Sequence, residues 1–105
     1  MNEEEKKEEF ETKMCELIRN CTFRITEAKV LTFYAQSYYI LLLDMEMPVA
    51  IVEYFVHPKT NNVWLHDYKT MERGICTDMV VELEKLEQEL TNLWKEIKGE
   101  EHENN

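Results

Sequence analysis

The sequence predicts an α+β domain: an N-terminal helix, an antiparallel meander of four to five strands, and a long C-terminal amphipathic helix packed on one sheet face. Three observations carry that expectation. Apolar residues recur at helical spacing at both ends, nine of the eleven aromatic residues lie between residues 21 and 76, and the 105 residues include only two glycines and two prolines. With 44% apolar residues the chain can fill one modest core, and its length suits a single domain spanning 1–105.

The first helix is expected over about Glu4 to Asn20. Phe10, Met14, Leu17, Ile18 and Cys21 follow at steps of four, three, one and three, the spacing of one helical face. Its glutamate-rich first turns suit the positive end of the helix dipole, and Asn20 is tolerated where a helix stops. Residues 1–7 are expected to fray.

From Thr22 to Tyr68, β-branched and aromatic residues alternate between turn signals, which predicts strands near 22–26, 29–35, 37–45, 49–57 and 62–69, with one bent strand as the alternative for the first two. Glu46-Met47 before Pro48 reads as a tight connection and Pro58-Lys59-Thr60-Asn61 as a four-residue one. If His57 faces Asn62, then Phe55 faces Trp64, Glu53 faces His66 and Ile51 faces Tyr68 on one side of the sheet. If Met45 faces Pro48, then Tyr38, Ile40 and Leu42 join this aromatic side. Tyr39, Leu41 and Leu43 join Val52, Tyr54, Val56, Val63 and Leu65 on the apolar side. A one-residue slip in either loop would exchange the faces.

The last element shows the clearest pattern. Cys76, Met79, Leu83, Leu86, Leu90, Leu93 and Ile97 alternate steps of three and four, Thr77 or Asp78 can cap the start, and Gly99 can end the helix. Some 22 helical residues span ~33 Å, enough to cross a small sheet diagonally. The heptad also invites a homodimeric coiled coil. Against it, the flanking positions hold Glu82, Glu89 and Glu96 on one side and Val80, Glu87 and Trp94 on the other, so carboxylates would meet carboxylates in either orientation. A monomer with the seam against the sheet is therefore expected ahead of a dimer. Residues 99–105 are expected to fray.

Charge is distributed as unevenly as the aromatic residues. The net −10 divides into −3 over residues 1–20, −1 over 21–76 and −6 over 77–105. Neither a membrane-length apolar run nor a signal-peptide pattern is present, which predicts a soluble, cytoplasmic protein without membrane contact. Three cysteines without a CxxC pair fit neither a disulfide framework nor a zinc knuckle, so Cys15, Cys21 and Cys76 read as reduced thiols.

Signals for chemistry are weak. With glycine only at 74 and 99 there is no phosphate-binding loop, and no HExxH or EF-hand spacing occurs. His66 beside Asp67 and across from Glu53 has the makings of an acid–base pair, with Cys76 near a helix start as a nucleophile. A cross-strand ion pair and a packed thiol explain the same residues without catalysis. No catalytic residue, metal ligand or cofactor is assigned. Direct nucleic-acid binding is opposed by the sparse basic residues, Arg24, Lys29, Lys59, Lys69 and Arg73.

An acidic surface points instead to basic protein partners, through steering and through carboxylates that occupy grooves built for phosphate. In size, acidity, α+β make-up and lack of catalytic motifs the chain is similar to inhibitors encoded by phages and mobile elements, among them anti-CRISPR, anti-restriction and DNA-mimic proteins. That similarity covers bulk properties and transfers no site residue. The leading expectation is a non-catalytic acidic inhibitor of a basic, nucleic-acid-handling protein. Its carboxylates would be Glu82, Glu84, Glu87, Glu89 and Glu96, and its affinity would come from a sheet face of Tyr38, Glu53, Phe55, Trp64, His66 and Tyr68. The alternative is an immunity-type or adaptor module that recognises a protein through the aromatic face alone.

Overall fold

The structure, a computed structural model, describes residues 1–72 and 74–103. It contains α1 (Glu3–Cys21), β1 (Glu27–Tyr34), β2 (Ser37–Asp44), β3 (Met47–Val56), β4 (Val63–Thr70) and α2 (Thr77–Glu103). The strands form one antiparallel sheet in the order β1-β2-β3-β4, so the α+β meander with a helix at each end is the observed fold.

Local chemistry moves several boundaries. The first turn of α1 is ordered by a capping box: the Glu5 N–H donates to Asn2 Oδ1 at 2.8 Å and the Asn2 N–H donates to Glu5 Oε1 at 3.2 Å. Helix therefore begins at Glu3, one residue ahead of the expected start at Glu4. Residues 22–26 form a turn rather than a strand, closed by the Ile25 N–H on the Thr22 carbonyl at 3.4 Å, with Ile25 driven into the core. At the other end Cys76, not Thr77 or Asp78, supplies the carbonyl that receives the Val80 N–H. Helix α2 continues through Gly99 to Glu103; of the expected frayed segment 99–105, residues 104 and 105 lie outside the described residues.

Both short hairpins turn on pairs with positive φ, Ala35-Gln36 (50° and 68°) and Met45-Glu46 (50° and 70°), as a primed type I turn requires. The second turn sits one residue earlier than Glu46-Met47, so Asp44 pairs with Met47. A bulge at Val49 follows, after which Leu42, Ile40 and Tyr38 lie opposite Ala50, Val52 and Tyr54. The expected register is thus one residue out in this hairpin, and Tyr38, Ile40 and Leu42 belong to the core face. In the β3–β4 hairpin the expected pairing holds near the loop, where His57 bonds Asn62 and Phe55 faces Trp64. It fails beyond a bulge at His66, which sets Glu53 opposite Asp67, Val52 opposite Tyr68 and Ile51 opposite Lys69.

Both helices cover the same side of the sheet. Phe10, Met14 and Ile18 of α1 and Met79, Leu83, Leu86, Leu90 and Ile97 of α2 share one core with Tyr38, Ile40, Leu42, Ala50, Val52, Tyr54, Val56 and Val63. The heptad seam thus turns inward, as expected. Rings interlock along the helix–helix line, Phe10 lying 4.9 Å from Trp94 and 5.6 Å from Tyr38. Lys98 meets Glu3 at 3.3 Å, so the start of α1 lies beside the end of α2 and the two run antiparallel. Burying these side chains at ~1.5–3 kcal/mol each is the main drive to fold.

Polar contacts pin α2 to the sheet at defined points. The Tyr54 hydroxyl donates to the Leu83 carbonyl at 2.6 Å. Thr91 Oγ1 accepts the Val63 N–H at 2.8 Å and donates to the Val63 carbonyl at 3.1 Å, while Glu87 Oε2 accepts the Leu65 N–H at 2.7 Å. An edge strand normally leaves such groups for a stranger to pair with. Here α2 occupies them, and the next free donor, the Tyr68 N–H, is taken by Asp67 Oδ1 at 2.8 Å.

Candidate functional site

With both helices on one side, no element among the described residues covers the other side of the sheet. Three cross-strand rows make up this open face. Tyr34, Ser37, Phe55 and Trp64 form the first, Thr32, Tyr39, Glu53 and Asp67 the second, and Lys29, Leu41, Ile51 and Lys69 the third. Phe55 and Trp64 pack as a tilted pair with ring centres 5.0 Å apart, and His57 and His66 extend the cluster, each 6.3 Å from Phe55. Tyr39, Leu41, Ile51, Phe55 and Trp64 are half-buried, shielded by neighbours within the sheet, and Tyr34 is 72% exposed. The face thus sets aromatic and aliphatic side chains among the charged Lys29, Glu53, Asp67 and Lys69, the mixed composition of a protein–protein interface.

The polar groups of the face are held in place. Glu53 accepts a 2.6 Å bond from the buried Ser37 hydroxyl, and the Tyr39 hydroxyl is raised above its ordinary pKa by desolvation and by the adjacent Glu53 carboxylate. Like charges directly across a strand pair repel, so the Glu53–Asp67 pair is an unfavourable feature of the isolated chain. A shallow hollow of about 190 Å³ lies between Tyr39, Ile51, Glu53, Asp67, Tyr68 and Lys69. His57 Nδ1 accepts the N–H groups of Lys59 and Thr60 at 3.1 and 3.2 Å, which orders the β3–β4 loop beside the aromatic row.

The helical layer on the opposite side has a different character. Helix α1 holds seven acids against four bases and α2 nine against three, so nine of the ten net negative charges reside in the helices and one in the rest of the chain. Glu4, Glu5, Glu8 and Glu16 of α1 and Asp78, Glu84, Glu89 and Glu96 of α2 are exposed.

The expected site residues are therefore divided by the fold. Phe55, Trp64, Glu53 and His66 share the open face, but Tyr38 does not: it is 2% exposed, its ring 4.4 Å from Phe33. The expected Glu53–His66 pairing is likewise corrected, since the extra residue of the bulge displaces His66 and brings Asp67 into its place. Tyr68 stands at the sheet edge, between the open face and Val80 and Glu84 of α2. Of the helix carboxylates, Glu84, Glu89 and Glu96 face water, Glu82 is half-buried, and Glu87 is committed to the Leu65 backbone.

Tyr39 and Leu41 belong to the open face, whereas the sequence places them on the apolar side; Ile51 lies on the side expected for it. The exclusion of Tyr39 and Leu41 follows from the displaced turn, whose Met-Glu pair carries none of the Asn or Gly that normally announces it. A second concavity, about 260 Å³, opens at the meeting of the helix ends, where the Lys7 ammonium lies 4.6 Å from the Phe33 ring centre and Lys98 lies 5.2 Å from that of Trp94. Cys76 packs against the core at the start of α2, apart from His66 beside Phe55. Among the described residues no three His, Cys, Asp or Glu side chains converge as a metal site, and no helix is long and apolar enough to cross a membrane. Compared with known proteins, the chain matches no family model, no curated protein and no solved structure.

Proposed function

We propose that this protein is a non-catalytic binder that docks its acidic helical layer on the basic surface of another protein, of the kind that handles nucleic acid, and inhibits it by occupying the phosphate-binding surface. The observation that carries this reading is the segregation of charge: nine of ten net negative charges lie on one layer of the fold. Carboxylates projecting from two adjoining antiparallel helices form a fixed negative surface, and such a surface accelerates encounter with a cationic partner. Packing against the sheet holds those helices in place, so little ordering is required on contact.

The test is affinity capture with the full chain at low and high salt, followed by competition with heparin as a polyanion. A basic protein retained at low salt, displaced by heparin and lost by the Glu84→Lys/Glu89→Lys/Glu96→Lys variant is the expected result. Capture indifferent to salt, heparin and that triple charge reversal would overturn the reading.

A further inference from the structure

We infer that the open sheet face is the docking surface for a second copy of this chain, giving a two-fold dimer with the sheets face to face and the acidic helices outermost. This goes beyond the binding role of the helical layer, which the dimer leaves free on both outer sides.

Four features favour a second copy as the occupant. First, edge-to-edge pairing through β4 is obstructed, because Thr91, Glu87 and Asp67 hold the N–H groups of Val63, Leu65 and Tyr68, whereas among the described residues no element covers the open face. Second, the charge segregation makes helix-to-helix association repulsive. Stacking the sheets places the two acidic layers on opposite sides of a double sheet more than ~10 Å thick, beyond the ~8 Å screening length of physiological salt.

Third, the face is complementary to itself. Asp67 and Lys69 occupy adjacent rows of the same strand. A two-fold axis running across the strands between those rows sets Asp67 over Lys69 of the second copy, and its Asp67 over this Lys69, as an isologous contact requires. The Glu53–Asp67 pair thereby gains the second copy's Lys69 in addition to the Lys69 that already borders the same hollow. Fourth, the size is adequate. Four strands at ~4.8 Å spacing and eight residues at ~3.4 Å present ~500 Å² of flat area per copy, and two copies reach the lower bound of specific interfaces, about 1,000–1,200 Å².

The experiment is sedimentation equilibrium of the full chain at micromolar concentration. The wild type is expected at twice 12.7 kDa. Ile51→Lys places an ammonium in the middle of the face and is expected at the single-chain mass with unchanged circular dichroism. Asp67→Lys should weaken association at least tenfold, and adding Lys69→Asp should restore it by exchanging the charges. Glu89→Lys, on the helical layer, should leave the mass unchanged. A wild type that stays at 12.7 kDa, a folded Ile51→Lys that remains dimeric, or a charge exchange that restores nothing would each overturn the inference. So would a monomeric wild type whose face variants lose a different protein partner, because the face would then belong to that partner.

Discussion

Tyr54 and Cys21 show how single side chains tie the core together. The Tyr54 ring is fully buried and its hydroxyl reaches a carbonyl in the first half of α2. Tyr54→Phe keeps the ring and abandons that bond, so a cost of about 1 kcal/mol is expected, read as a lower urea midpoint with an unchanged spectrum. Beside it, burial first and the Glu82 charge second push the Cys21 thiol up to about 11 from 9.0, and burial raises Cys15 in the same direction. Because the folded state holds these thiols neutral while the unfolded chain ionises near its ordinary value, their contribution is complete below pH 9 and is lost as pH rises toward 11. Urea midpoints measured across that window should fall, and fall less in the Cys15→Ala/Cys21→Ala variant. Iodoacetamide should also label Cys15 and Cys21 slowly in the folded protein at neutral pH, since burial keeps both thiols protonated.

At the scale of elements, the contact between α2 and β4 serves stability and protects the sheet edge. Thr91→Val preserves shape but strands both the N–H and the carbonyl of Val63, so about 2 kcal/mol should be lost, whereas Thr91→Ser retains both bonds and most of the stability. The valine variant should also aggregate on heating, because the strand edge regains free backbone groups. The hairpin tips carry the reverse opportunity. Met45 and Glu46 hold positive φ without the side chains that favour it, a conformation costing roughly 1 kcal/mol or more per residue. Replacing the pair by Asn-Gly should raise the thermal midpoint while leaving the register intact.

For the molecule as a whole, the polarity between layers governs behaviour in solution. Exposed carboxylates on both helices repel one another, so added salt should raise the melting temperature, the reverse of what a structure relying on exposed ion pairs would show. By the same reasoning Glu89→Lys should stabilise the fold slightly while weakening attachment to a basic partner. Differential scanning calorimetry over a salt series, paired with binding measurements on that variant, would reveal whether stability and function pull apart at this surface.

The helices, the inward seam of α2, the positions of the last three strands and the separation of charged ends from an aromatic middle are all legible in the sequence. These depend on periodicity and propensity, which act over a few residues. Even so, the Asn2–Glu5 capping box lay in plain view as a polar residue three positions before a glutamate. Packing in three dimensions places α1 beside α2 on one side, because either sheet face offers apolar rings and the choice follows from seating Phe10 between Tyr38 and Trp94. It also decided which residues share the open face. Two bulges and an unmarked turn shift the pairing by one residue, and in a strand one residue separates a core side chain from an exposed one. Tyr38 and Tyr39 are neighbours in the chain, and the burial of the first is what leaves the second on the open face.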